Sequence, residues 1–338
     1  MNKKYKFPFF VAEISSNHNG SISKAKKLIK CAKDNGADAV KLQTFEPKSM
    51  TVNVNSKKFI IQKGLWKNVS LWNLYKKAQT PYSWQKALFQ YAKSINMKCF
   101  STPFDEEGLT ILENLNCPIY KISSYEIDDL PLIKSVALTN KPIIISTGTS
   151  TLATIEKTIS YIRKYNNSPL AILYCVSIYP SRFEDFNMNN IKILRDKFKC
   201  TVGLSDHSKD ILVATSAVSS GAEIIEKHIA LQNQKKGIDI DFAIKGKEIK
   251  KFSSAIKNVK KMYKSKNYFK SEEELKNTLY RRSIYAIKDI KKGELFSKYN
   301  VKCLRPRLGL EPKYFSSLLS KRSKRNISYG TPIKKKDL

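Results

Sequence analysis

Histidine is scarce in this chain. Only His18, His207 and His228 occur in 338 residues. The six cysteines (Cys31, Cys99, Cys117, Cys175, Cys200, Cys303) form no CxxC pair. That spacing excludes a cysteine-cage zinc module and a disulfide framework, and it fits free thiols in a reducing cytoplasm. No apolar run approaches the ~20 residues that cross a bilayer. The start, MNKKYKFPFFVAEIS, is basic, but its apolar run is short, contains Pro8 and meets Glu13. It reads as a strand rather than a signal peptide. Acidic residues are few, 29 against 62 basic ones, for a net charge of +33. Such an excess raises the question of a nucleic-acid partner. Only nine of the basic residues are arginine, the side chain that base edges and phosphate forks favour. The lysines are spread over helix faces, and KRSKR (321–325) and KKK (334–336) read as solvated turns. Neither a nucleic-acid nor a membrane partner is expected.

What the chain does have is repetition. Eight short apolar runs recur: FFVAEIS (9–15), AVKLQT (39–44), KCFSTPF (98–104), IYKISS (119–124), PIIISTG (142–148), AILYCVS (171–177), TVGLSDH (201–207) and EIIEKHI (223–229). Helical periodicity lies between them, over 21–36, 82–96, 105–115, 151–165, 186–197, 208–220 and 247–265. Strand–helix alternation repeated eight times predicts an α/β fold, a (β/α)₈ TIM barrel, whose strand C-termini form the active face. Those ends present Glu13, Lys41, Gln43, Thr102, Lys121, Ser124, Ser146, Thr147, Ser177, Ser205, Asp206, His207 and His228. A long segment after the second run (45–81, continuing to Trp84) holds Trp66, Trp72 and Trp84 and reads as a loop shaping a pocket on that face, an extra helix packed by its aromatics, or both. The barrel is expected over 1–265, a polar linker over 266–280 and a small second domain over 281–338. That tail has 17 basic and four acidic residues, a net of +13. It has strand-like runs, glycines at 293, 309 and 330, and a brief helical pattern over Pro312–Ser320.

The chemistry follows from residue type. His207 and His228 end adjacent strands, about 4.8 Å apart, so their imidazoles can share one metal ion and leave positions open for water and substrate. Satisfied core histidines are the plainer alternative. Lys41 and Lys121 interrupt apolar strands, and buried lysines need partners. An anionic ligand supplies one, with Thr102, Ser124, Ser146, Ser177 and Ser205 as neutral donors around a phosphate and a carboxylate. A Schiff-base lysine is the competing use. Glu13 is a candidate acid/base or hydroxyl ligand. Asp239 and Asp241, in GIDID, are candidates for binding a polyhydroxylated or amidated substrate.

At these residues the chain closely resembles the sialic acid synthase family. The motifs are AEISSNHNG (12–20), GADAVKLQT (36–44), FSTPFD (100–105), YKISSYEIDDLPLI (120–133), KPIIISTG (141–148), SIYPS (177–181), GLSDHS (203–208) and IEKHIAL (225–231). The tail, RRSIYAIKDIKKGELFSKYNVKCLRPRLGL (281–310), is similar to the antifreeze-like (SAF) domain, a β-clip, that ends such proteins. Segments 59–84 and 305–315 look most like the pseudaminic acid synthases of that family. The resemblance implies an enzyme that condenses phosphoenolpyruvate with an N-acetylated sugar. The implied acceptor is 2,4-diacetamido-2,4,6-trideoxy-L-altrose, giving pseudaminic acid and phosphate. The alternatives are a neuraminate or legionaminate synthase using N-acetylmannosamine or a diacetamido analogue. It implies a divalent ion on His207 and His228, Mn²⁺ first, with Mg²⁺ or Co²⁺ as alternatives. It implies phosphoenolpyruvate on Lys41, Thr102, Lys121, Ser124, Ser146, Ser177 and Ser205. The sugar would meet Glu13, Gln43, Glu126, Tyr179 and Asp239, with Glu13 and Asp239 as catalytic carboxylates. It also implies a homodimer in which the SAF domain caps the partner barrel and brings in Arg305.

Overall fold

The computed structural model describes residues 7–265 and 267–338. Residues 1–6 of the expected barrel and Lys266, the start of the expected linker, lie outside the described residues.

Eight parallel strands follow one another around a closed ring. They are β1 (Phe9–Glu13), β2 (Ala39–Thr44), β3 (Lys98–Pro103), β4 (Tyr120–Ile122), β5 (Ile143–Ser146), β6 (Leu170–Cys175), β7 (Thr201–Asp206) and β8 (Ile224–Ala230). Pairing of β1 with β8 closes the barrel, and a two-residue strand, β9 (Ile244–Lys245), adds to β8. Each strand falls within one of the eight apolar runs, except that β6 starts one residue before its own and β8 runs one residue beyond. Register then decides which side chains meet. Glu13 lies level with Lys41 and with His228, and Ser205 lies level with Cys175 and with Glu226. Because strand side chains alternate, residues level with one another point to the same side. One inward layer therefore collects several charged groups.

The helices between the strands start where a polar side chain can accept a first-turn N–H. Ser21, Asp105, Thr151 and Asp210 do this for Ile22–Asp34, Glu106–Asn114, Leu152–Arg163 and Ile211–Ser219. Each such cap contributes about 1 kcal/mol. Tyr82–Ser94, Asn189–Phe198 and Lys247–Met262 complete the expected set. Leu130–Leu138 is a helix that the periodicity did not reveal. It is mostly apolar and so lacks a polar face, and Pro131 reads as a breaker. In the first turn, however, a proline removes an N–H that no carbonyl needs. A further helix, Leu71–Ala78, lies inside the long segment after β2.

The chain divides into two units, Met1–Tyr263 and Lys264–Leu338. In the second, a short helix, Glu272–Lys276, occupies part of the expected linker. β10 (Ser283–Ala286) pairs antiparallel with β11 (Val301–Leu304). Ile284, Ile290, Phe296, Val301, Leu318, Ile327 and Ile333 form its own small core. Among the described residues no helix is long and apolar enough to cross a membrane, and the six cysteines are free.

Candidate active site at the strand C-termini

A cavity of about 250 Å³ opens at the C-terminal end of the barrel. Its floor is a layer of buried charges. Lys41 is 3% exposed and ion-paired to Glu13, and its ammonium also reaches Thr102 Oγ1 at 3.3 Å and Glu226 Oε1 at 3.7 Å. Lys121, 2% exposed, donates to both oxygens of Glu226 at 3.3 Å. Ser205 Oγ donates to Glu226 Oε1 at 3.1 Å. Burial works to neutralise Glu226, but Lys121 and Lys41 outweigh it and hold the carboxyl at about 2. Burial also lowers the Lys121 ammonium, with Glu226 opposing and Lys41 reinforcing that shift.

The imidazoles stand beside this floor. The His207 and His228 ring centroids are 5.4 Å apart. Phe242 packs edge-on against both, and Tyr179 lies 4.6 Å from the His207 ring. Nδ1 of His207 is 3.1 Å from Val176 O, which fixes that ring's tautomer and orientation. Nδ1 of His228 has no hydrogen-bond partner and sits 3.6 Å from Asp239 Oδ2. Asp239 in turn accepts hydroxyl hydrogen bonds from Ser15 and Ser16. Burial pushes its carboxyl up, but His228 and the two serines hold it at about 2. Among the described residues no set of three or more His, Cys, Asp or Glu makes a complete metal cage. The two adjoining imidazoles, one oriented from behind and one carrying an unpartnered ring nitrogen, fit a divalent ion whose other positions belong to water or substrate.

Hydroxyls form the third side. Gly148 N–H donates to Ser124 Oγ at 3.0 Å. A Cβ at Gly148 would overlap the hydroxyls of Ser177 and Ser124, so glycine allows the three groups to converge. Ser146 Oγ is buried without a hydrogen-bond partner. Aromatic and aliphatic groups line the outer wall: Phe45, Met50, Trp66, Leu74, Tyr75 and Phe104. All but Phe104 come from the long segment after β2. Trp66 Nε1 donates to Ile238 O at 3.2 Å, tying that segment to the loop that carries Asp239.

The cavity brings together Lys41, Gln43, Lys121, Ser124, Glu126, Ser146, Tyr179, Ser205, His207, His228 and Asp239. Glu13 and Thr102 lie behind Lys41, fully buried, and Ser177 lines a neighbouring cavity. Asp241 is exposed, and Arg305 is exposed in the second unit just after β11. His18 is buried and neutral. Its Nε2 meets Thr80 Oγ1 at 3.0 Å, its Nδ1 accepts from Gly20 N–H, and burial lowers its pKa to about 4. From sequence, the two lysines await an anionic ligand or a Schiff-base substrate. The fold gives them Glu13 and Glu226 as partners. Glu226 went unremarked although a glutamate inside an otherwise apolar strand was visible in EIIEKHI. Ser15, Ser16 and Gly148 left no comparable signal, because their roles depend on which loops meet.

Comparison with known proteins assigns the fold and the family. The NeuB family pattern matches residues 28–268, and the SAF domain pattern matches 281–338. The pseudaminic acid synthase of Campylobacter jejuni subsp. jejuni is 40% identical over 329 residues, 97% of this chain and 96% of that one. The pseudaminic acid synthase of Helicobacter pylori is 40% identical over 332 residues, 98% of each chain. The structure of N-acetylneuraminic acid (sialic acid) synthetase from Leptospira borgpetersenii, in complex with citrate, superposes with a TM-score of 0.73. Its identity is 29%, over 82% of this chain and 94% of that one.

Proposed function

The chain belongs to the NeuB family, and from that premise we propose that it joins phosphoenolpyruvate to an open-chain acetamido sugar, making a sialic-type nonulosonic acid and inorganic phosphate. The observation that carries the reading is one cavity holding two buried lysines, a hydroxyl cradle and an imidazole pair. A dianion fits the lysines and hydroxyls, since charge-assisted bonds are the strong ones in a site shielded from water. Its phosphate and carboxylate would sit on Lys41, Lys121, Ser124, Ser146 and Ser205, with Thr102 orienting Lys41 and Ser177 completing the cradle beside Gly148.

C3 of phosphoenolpyruvate bonds to the aldehyde carbon, and the aldehyde oxygen takes up a proton. Water adds at the electron-poor C2. The C–O bond to phosphate then breaks, leaving a ketone and inorganic phosphate. His207 and His228 would hold a divalent ion, Mn²⁺ by our reading, which supplies Lewis-acid polarisation of a carbonyl oxygen when bound. Burial raises the Asp239 carboxyl, but His228 and the Ser15 and Ser16 hydroxyls hold it low, so it is ionised at neutral pH. It suits accepting a hydrogen bond from a sugar hydroxyl. Glu13 acts through Lys41, to which it is paired. Glu126, raised by burial with Ser123 opposing, and Gln43 and Tyr179 offer further polar contacts to the sugar.

The apolar outer wall favours an acceptor with methyl groups in place of hydroxyls. The relatives named pseudaminic acid synthases point the same way. A 2,4-diacetamido-2,4,6-trideoxy-altrose carries a C6 methyl and two acetyl methyls, and it is the acceptor assigned here. We further assign a homodimer in which the SAF domain of one chain closes the partner's barrel, with Arg305 facing the sugar. Purified chain with phosphoenolpyruvate, Mn²⁺ and a panel of acetamido sugars tests the reaction. Phosphate release with a product of the summed mass supports it. A borohydride-trapped lysine adduct would instead establish the Schiff-base alternative.

A further inference from the structure

Glu226 has no counterpart in the reaction just described, yet it is the most heavily engaged carboxylate in the cavity. Three side chains converge on it: Lys121 on both oxygens, and Ser205 and Lys41 on Oε1. All four residues are at least 95% buried. With Glu13 on Lys41, the two ammoniums face two carboxylates, and their formal charges cancel within the protein itself. Two lysines buried this deeply keep their charge only with counter-charges at hand. This site supplies them, one through a group on β8 two residues before His228.

We propose that Glu226 is a built-in competitor for the anion: it holds Lys121 and Lys41 in place in the empty site, yields part of that pairing when a phosphate-bearing ligand enters, and retakes it to help expel inorganic phosphate after turnover. This inference rests on the phosphoenolpyruvate reading above. An ammonium has three donor protons, so Lys121 can add a ligand oxygen while it loosens from Glu226. Two anions on the same pair of cations repel each other, and at low effective dielectric that repulsion is large. Binding is thereby weakened for substrate and product alike. An anion-binding site that must release phosphate on every cycle gains from such weakening, because release often limits turnover. Glu226 is a positioning residue in this scheme, since it acts through the lysines.

The test is calorimetry with phosphoenolpyruvate and with inorganic phosphate, on the unaltered chain and on Glu226→Gln. Glutamine keeps the shape and a hydrogen-bonding oxygen but removes the charge. The variant should bind both anions about tenfold more tightly, the scale of one charge-assisted hydrogen bond. In steady state KM for phosphoenolpyruvate should fall together with kcat, and product inhibition by phosphate should deepen. A purely structural carboxylate would not give that combination. Glu226→Asp, which keeps the charge but withdraws it by one methylene, should tighten phosphate binding about threefold, and it serves if the glutamine variant does not fold. Unchanged or weaker anion binding in the folded variants, with normal binding by the unaltered chain, overturns the competitor role alone. Absence of phosphoenolpyruvate binding by the unaltered chain removes the underlying reading, and this inference with it. Retained Mn²⁺ affinity in Glu226→Gln supports the assignment to the lysines. A loss of Mn²⁺ affinity without anion tightening would make Glu226 a metal ligand instead.

Discussion

Gly148 donates its N–H to Ser124 Oγ, and a Cβ built there would overlap the Ser124 and Ser177 hydroxyls. Its backbone is not in the left-handed region, so alanine is conformationally allowed and only space opposes it. Gly148→Ala should therefore fold normally and raise KM for phosphoenolpyruvate about tenfold or more, as hydroxyls are pushed off the anion. Steady-state kinetics with circular dichroism checks both halves, and an unchanged KM would detach the cradle from the substrate. His18 supports a different test. Its pKa falls from 6.5 to about 4 on burial. Between these values the unfolded chain binds a proton that the native chain does not, so stability rises with pH. His18's contribution is fully present above about pH 6.5 and is lost as pH falls towards 4. Its slope approaches 1.4 kcal/mol per pH unit at most. Urea unfolding of His18→Gln from pH 7.5 to 4.5 should show a shallower dependence than the unaltered chain. Equal slopes would mean that His18 is not the group titrating. Residues of this kind divide by legibility. Lys41, Lys121, His207 and His228 announced themselves as charged or metal-binding types at strand ends. Gly148 and His18 did not, because their meaning lies in contacts that sequence spacing does not show.

Strand β8 shows what periodicity can and cannot deliver. In IIEKHIA, Glu226 and His228 face the cavity, and Lys227 between them faces away. Lys227 is 1% exposed and paired with Asp206, fully buried at the end of β7, and it also donates to Ser208 O. This ion pair fastens the two strands that carry the imidazoles. Removing one partner of a buried pair strands the other, at a cost of about 3–5 kcal/mol. Lys227→Met, of similar length, should lose that much in urea unfolding, and a loss below about 1 kcal/mol would show the pair to be dispensable. The eight strands were legible because each is a short apolar run ending in a polar group. Leu130–Leu138 was not, because a helix with little polar surface has no period to read. The placement of the long segment after β2 was legible only as an insertion. That its aromatics wall the cavity depends on Trp66 reaching Ile238 O.

At the scale of the whole molecule, two units share one chain, and the second carries Arg305 exposed beside β11. The net +13 of its residues 281–338 would serve the anionic phosphoenolpyruvate of the proposed reaction only if that domain reaches a barrel mouth. The proposed reaction also needs one water at C2 with bulk solvent held back from the barrel mouth. The proposed dimer satisfies both needs, since a two-fold arrangement uses each capping surface once per chain. The arrangement has a consequence that a cap acting on its own barrel lacks. A chain with Arg305→Ala keeps an intact barrel, and a chain with His207→Ala keeps an intact Arg305. Each homodimer should be nearly inactive. In a mixed dimer capped in trans, the barrel of the Arg305→Ala chain receives Arg305 from its partner, while the other barrel lacks both groups. Mixed dimers made by co-expression with two affinity tags should therefore recover about half the activity of an unaltered dimer. Recovery near zero, with mass spectrometry showing that both chains are present, would place Arg305 on its own barrel, whereas a fully active Arg305→Ala homodimer would place it outside the reaction.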